Sequence, residues 1–147
     1  MRRHFNVEEH GVEKYTIEDL YEGQYYEKSF VITEDMGRAF AEISQDFNPI
    51  HLDHKAAEES RFGKKIVHGM LIGSYFSGII GNQFPGAGSV YISQEIFFKA
   101  PVFYDTSVTV RVEVASVNRE KKHVLLKTTC MGNDKLLVDG KAKILFE

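Results

Sequence analysis

This 147-residue sequence has one cysteine, Cys130, three prolines and no tryptophan. A lone cysteine excludes an internal disulfide framework and any cysteine-rich zinc site. Inside a strand-like run, Cys130 reads as an inert core residue. Neither sign of charge dominates: 18 basic residues stand against 21 acidic ones, a net charge of -3 with histidine neutral. That balance supplies no global field for nucleic acid or an acidic membrane, and neither partner is expected. Long apolar runs are also missing. The longest, 66–80, is interrupted by His68 and is too short to span a bilayer. Met1-Arg2-Arg3 is basic, but residues 4–13 are polar and acidic where a secretory signal would turn apolar, so a cytoplasmic protein is expected.

What is present fits one soluble domain with a real core: 43% hydrophobic and 27% charged residues. Residues 1–24 are charged and weakly patterned, an N-terminal extension that either frays or packs on a partner, and the domain occupies 25–147. Tyr25 to Ile32 alternates as a strand. Thr33-Glu34-Asp35 is a helix start, followed by Met36, Phe40 and Ile43 at helical spacing. Asp53 caps a short helix to Ser60. The 66–80 run reads as a helix buried nearly all round, with Gly69, Gly73, Ser77 and Gly81 as a stripe of small residues for close packing. Four strands follow: Ser89 to Phe98, one around Val108 to Val114, His123 to Met131, and Leu136 to Phe146, the last two joined by Gly132-Asn133-Asp134. The result is an α+β domain whose antiparallel sheet must wrap the one apolar helix.

The chemistry concentrates at Asp46-Phe47-Asn48-Pro49-Ile50-His51. Pro49 fixes its own φ and pushes Asn48 out of the α region, so a helix running into Asp46 stops there. The bend can bring together a carboxylate and an imidazole that an unbroken helix would hold apart. An acid and a base at one kink can move protons on and off a substrate or a water. Each residue also has a plainer use. Asp46 can accept backbone N–H groups in an Asx-turn, Asn48 can stabilise the turn, and His51 can be a core or surface histidine.

Residues 40–51, with Ala57 six positions later, resemble the signature of the MaoC-like (R)-specific enoyl-CoA hydratases. Ile66-Val67-His68-Gly69-Met70-Leu71 and Phe76-Ser77-Gly78 resemble that family's central helix, and Phe97-Phe98-Lys99-Ala100-Pro101-Val102 its strand and bend. These segments agree in order and spacing from about Tyr25 onward. One departure is Gln45, where the family usually has glycine. The resemblance implies a single hot-dog domain, an antiparallel sheet around one long buried helix, in a homodimer or dimer-based oligomer with the acyl tunnel near the interface. It implies syn addition of water to a short- to medium-chain trans-2-enoyl-CoA, giving an (R)-3-hydroxyacyl-CoA. Asp46 and His51 carry over as the catalytic pair, the Gly69 N–H as donor to the thioester carbonyl, and Ser77 as a supporting polar residue.

Asn48 and Ile80 join Ser77 as candidate substrate-binding residues, Ile80 with Ile79 at the floor of the acyl tunnel. Gly69 can equally be a packing glycine and Ser77 a hydroxyl bonded back within its helix. His68 reads as making a structural hydrogen bond. Lys64 and Lys65 can meet coenzyme A phosphates or simply be solvated. His51, Asp53, His54 and His68 are acceptable ligand types without a metal-site spacing, so no metal and no cofactor are expected. Two other functions use similar residues: a 3-hydroxyacyl-carrier-protein dehydratase, and a non-catalytic acyl-thioester-binding protein. A thioesterase leaves the Asn48-Pro49-Ile50-His51 constellation unexplained.

Overall fold

The computed structural model describes residues 11–147; the basic start Met1-Arg2-Arg3 and most of the acidic stretch after it lie outside them. After a short 3-10 turn, Ile17–Asp19, the elements run β1 (Tyr25–Val31), α1 (Glu34–Ser44), α2 (Pro49–Leu52), α3 (His54–Glu58), α4 (Gly69–Asn82), β2 (Ser89–Phe98), β3 (Ser107–Asn118), β4 (His123–Gly132) and β5 (Lys135–Phe146). All five strands form one antiparallel sheet in the order β1-β3-β4-β5-β2. Val108, Val110, Val112 and Val114 of β3 are all buried, as their alternation requires. They meet Leu71, Ile72, Phe76, Ile79 and Ile80 of α4 in one core. Cys130 lies in that core, where burial pushes its thiol up to about 12, so it is inert at neutral pH.

The described residues just before β1 pack on the domain. Leu20 is fully buried, Tyr15 meets Phe84 edge-on, and Lys14 bridges Gly86. Nothing in the sequence signalled this packing within the expected 1–24 extension, because one buried leucine makes no periodicity.

Two other expectations change. Helix α4 is not buried all round: Met70, Ser74, Ser77, Gly78 and Gly81 make an exposed stripe, with Met70 59% exposed. The sheet covers only one side of it. Ile66 and Val67 are not helical either; Val67 N–H donates to the Val102 carbonyl at 2.8 Å, and Ile66 bridges Phe103. Of the small-residue stripe, Gly69 and Gly73 are pressed against Phe98 and Ile96 of β2, while Gly81 faces open space.

Helix α1 ends two residues before Asp46. Thr33 Oγ1 accepts Met36 N–H at its start, as expected. At its end Gln45 takes the left-handed conformation, φ 64° and ψ 21°. Proline restricts only its immediate predecessor, so the stop comes from Gln45. A residue with a Cβ is strained there, and glycine is not. Gln45 Nε2 offsets part of that cost by donating to the Glu42 carbonyl at 2.6 Å. Gln45→Gly should therefore raise unfolding stability by about 0.5–1 kcal/mol in urea titration. A loss of stability would show that the side-chain bond outweighs the strain.

Candidate active site

The turn after α1 is built by its own side chains. Asp46 Oδ1 accepts Asn48 N–H at 3.1 Å, and Asn48 Oδ1 accepts Ile50 N–H at 3.3 Å. Pro49 then opens α2 at its first position, where a missing N–H costs nothing. Both plainer uses, the Asx-turn at Asp46 and the cap at Asn48, are therefore real. For Asp46 the turn occupies one carboxylate oxygen and leaves the other free.

That free oxygen, Oδ2, lies 3.9 Å from His51 Nε2. The gap is too long for a direct hydrogen bond, and a water ~2.8 Å from each atom fits beside the pair. The Asp46 side chain is 48% exposed and that of His51 11%. His51 Nδ1 sits 2.8 Å from the Ile66 carbonyl oxygen. A carbonyl only accepts, so Nδ1 carries the proton and Nε2 presents a lone pair toward Asp46. The backbone beneath is fastened as well: Ile66 N–H donates to the Ile50 carbonyl, and the Tyr104 hydroxyl donates to that of His51. Burial holds the His51 pKa below its ordinary value; the Ile66 carbonyl opposes this, His68 adds to it, and Asp46 opposes it. The imidazole is thus a neutral base near pH 7.

Both groups open on a cavity of about 510 Å³ that also takes in Gly69, His68, Phe98 and Val138. Gly69 begins α4, where first-turn N–H groups have no helical carbonyl to bond and the dipole is positive. A Cβ on Gly69 would come within 2.6 Å of the Phe98 ring, so only glycine leaves the amide approachable. The cavity therefore brings a carboxylate and a neutral imidazole together with the first backbone N–H of α4.

The remaining sequence candidates fall elsewhere. Asn48 is spent on the cap. Ser77 lies two turns beyond Gly69 and faces a second, apolar groove with Phe40, Gly73, Tyr91 and Gln94; Met70 lines both spaces. Ile80, expected with Ile79 at the floor of an acyl tunnel, is fully buried in the core and lines neither space. Lys65 pairs with Glu34, and Lys64 sits over the Phe103 ring. The cations on the cavity are Arg61 and Lys99, one on each loop at its rim. Sequence reasoning passed over both, since their convergence depends on the bond between Val67 and Val102. Asp46, His51 and His68 bring ligand-type atoms within 4.8 Å of one another. The two imidazole rings stack with their planes at 23°, and one nitrogen of each is held by a backbone carbonyl.

The family profile described as a MaoC like domain matches residues 18–133. The chain belongs to the MaoC-like family. The (R)-specific enoyl-CoA hydratase of Aeromonas caviae is 49% identical over 90 residues, which are 61% of this chain and 67% of that protein. The enzyme of the same name from Rhodospirillum rubrum is 37% identical over 128 residues, 87% of this chain and 89% of its own. The solved structure of the A. caviae (R)-hydratase involved in PHA biosynthesis superposes with a TM-score of 0.85 at 40% identity, covering 87% of this chain and 98% of the other. This MaoC-like domain has the hot-dog fold, its sheet wrapped around α4 as the sequence resemblance implied. Among the described residues no helix is long and apolar enough to cross a membrane.

Proposed function

We propose that this protein is an (R)-specific enoyl-CoA hydratase, adding water to short- and medium-chain trans-2-enoyl-CoA to give (R)-3-hydroxyacyl-CoA. The observation that carries the proposal is the 3.9 Å meeting of Asp46 and His51 in a cavity that opens on the start of α4. One water donates hydrogen bonds to the free Asp46 oxygen and to His51 Nε2. As its oxygen attacks C3, one proton passes to the pair. The charge that collects on the thioester oxygen is met by the Gly69 N–H, and the pair returns the proton to C2 on the same face. The addition is therefore syn, and no metal or organic cofactor takes part.

Arg61 and Lys99 at the rim suit the phosphates of coenzyme A. Buried Ile72 and Val138 line the cavity and suit an acyl group of short or medium length. We place the protein in the cytoplasm as a homodimer. Strand β2 is an unpaired edge carrying exposed Val90, Ile92, Phe97 and Phe98, a surface that a second copy would cover. The groove holding Ser77 borders that surface, so dimerisation would enclose it as a continuation of the acyl site.

Incubation with trans-2-enoyl-CoA esters of four to eight carbons, followed by chiral analysis, tests the proposal. The (R) product is expected from each that reacts. An (S) product, or turnover of carrier-protein thioesters alone, would overturn it.

A further inference from the structure

His68 has no part in the proton transfers above, yet three pieces of the site meet on its ring. The side chain is 1% exposed. It stacks on His51 of α2 with ring centroids 3.9 Å apart and planes at 23°, and it meets Phe40 of α1 edge-on at 5.1 Å. Its Nε2 lies 3.0 Å from the backbone carbonyl oxygen of Asp46 itself. A carbonyl only accepts, so Nε2 carries the proton and Nδ1 is the bare nitrogen. That Nδ1 is buried and without a hydrogen-bond partner among the described residues.

An unsatisfied buried nitrogen is a cost that a phenyl ring of similar size would avoid. The imidazole is therefore explained by its other nitrogen. Because His68 is also the residue that precedes Gly69 at the start of α4, one residue links the carbonyl of the Asp46 turn, the His51 ring and that helix end.

We infer that His68 is a positioning residue for the reaction: its Nε2–H anchors the Asp46 turn while its ring face fixes the His51 plane, which holds the two reacting groups around one water. The inference rests on the hydratase proposal and is separable from it. The ionisable groups around the pair are Asp46, His51 and His68, with Arg61 and Lys99 farther out on the cavity; Glu34, Arg38, Glu42 and Lys65 line the opposite side of His51.

Nitrogen-15 NMR of the imidazoles reads the arrangement without substrate. His68 is expected as the Nε2–H form and His51 as the Nδ1–H form; the opposite form at His68 overturns the inference even in an active enzyme. Activity then tests the consequence. A misplacement of the reacting groups by about an ångström can cost ~10²-fold, so His68→Phe, which keeps the stack and loses the donor, should lower kcat ~10–100-fold with KM nearly unchanged. His68→Gln, which restores an N–H at similar reach, should recover most of that loss. On an Asp46→Asn background His68→Phe should cost almost nothing, because it acts through Asp46. A folded His68→Phe with wild-type kcat, a glutamine variant no better than phenylalanine, or full additivity with Asp46→Asn would each overturn it. If His68→Phe does not fold, the glutamine variant and the NMR forms decide. Wild-type protein that hydrates no enoyl-CoA counts against the hydratase proposal instead, and leaves the NMR result standing.

Discussion

Asp46→Asn and His51→Gln are each expected to lower crotonyl-CoA hydration by ~10²–10⁴-fold without unfolding the protein, the range for removing a general acid–base group. The asparagine oxygen can still accept Asn48 N–H, so the Asx-turn survives and only the base is lost. Circular dichroism and urea titration check the fold, and initial rates check the chemistry. The wild-type pH profile supplies a second measurement. The proposed reaction uses Nε2 of His51 as a lone pair, and burial sets the pKa of the ring below the ordinary 6.5. Activity should therefore be flat around neutrality and fall as the pH drops below 6.5 and the ring gains its proton. An acid limb centred above 6.5, or near-normal turnover in either folded variant, would remove that residue from its role.

Gly69→Ala is expected to cost ~10²-fold in kcat, comparable to the loss of one oxyanion donor. The amide is still present in the variant, so the cause is access. The added Cβ falls within 2.6 Å of the Phe98 ring, and that ring borders the same cavity. Either the ring swings across the thioester position or the start of α4 retreats from it. Overpacking of this kind also destabilises by ~1–3 kcal/mol, less where the displaced ring is half-exposed, as Phe98 is. Rates measured on folded protein separate the two effects. Turnover within a few-fold of wild type would show that the carbonyl is not polarised at this amide.

Much of this architecture was legible in local patterns. The alternation of β3, the Thr33 and Asp53 caps and the Gly132-Asn133-Asp134 turn are each decided by a few neighbouring residues, and the structure has all of them. Asp46 and His51 were legible as a pair because they stand only five positions apart with one proline between them. Gln45 was legible only in part. Its departure from the family pattern pointed at the turn, but the left-handed backbone that ends α1 there is a conformation the residue type does not favour.

Elsewhere local pattern had nothing to say. Hydrophobicity marked α4 as buried without telling which side the sheet would leave bare, so Ile80 went into the core and Ser77 onto an open groove. The two lysines beside each other in sequence found separate partners, while Arg61 and Lys99, 38 positions apart, share a rim.

The order of elements, the inward face of β3 and the bend between Asp46 and His51 came from the sequence alone, because short-range sterics and hydrogen bonds determine them. Tertiary structure alone decided that the pair shares a cavity with the Gly69 amide, that His68 is wedged behind both, and which cations border the opening. Those groups sit on separate elements, and only the packing of loops and helix against the sheet brings their side chains within reach of one another.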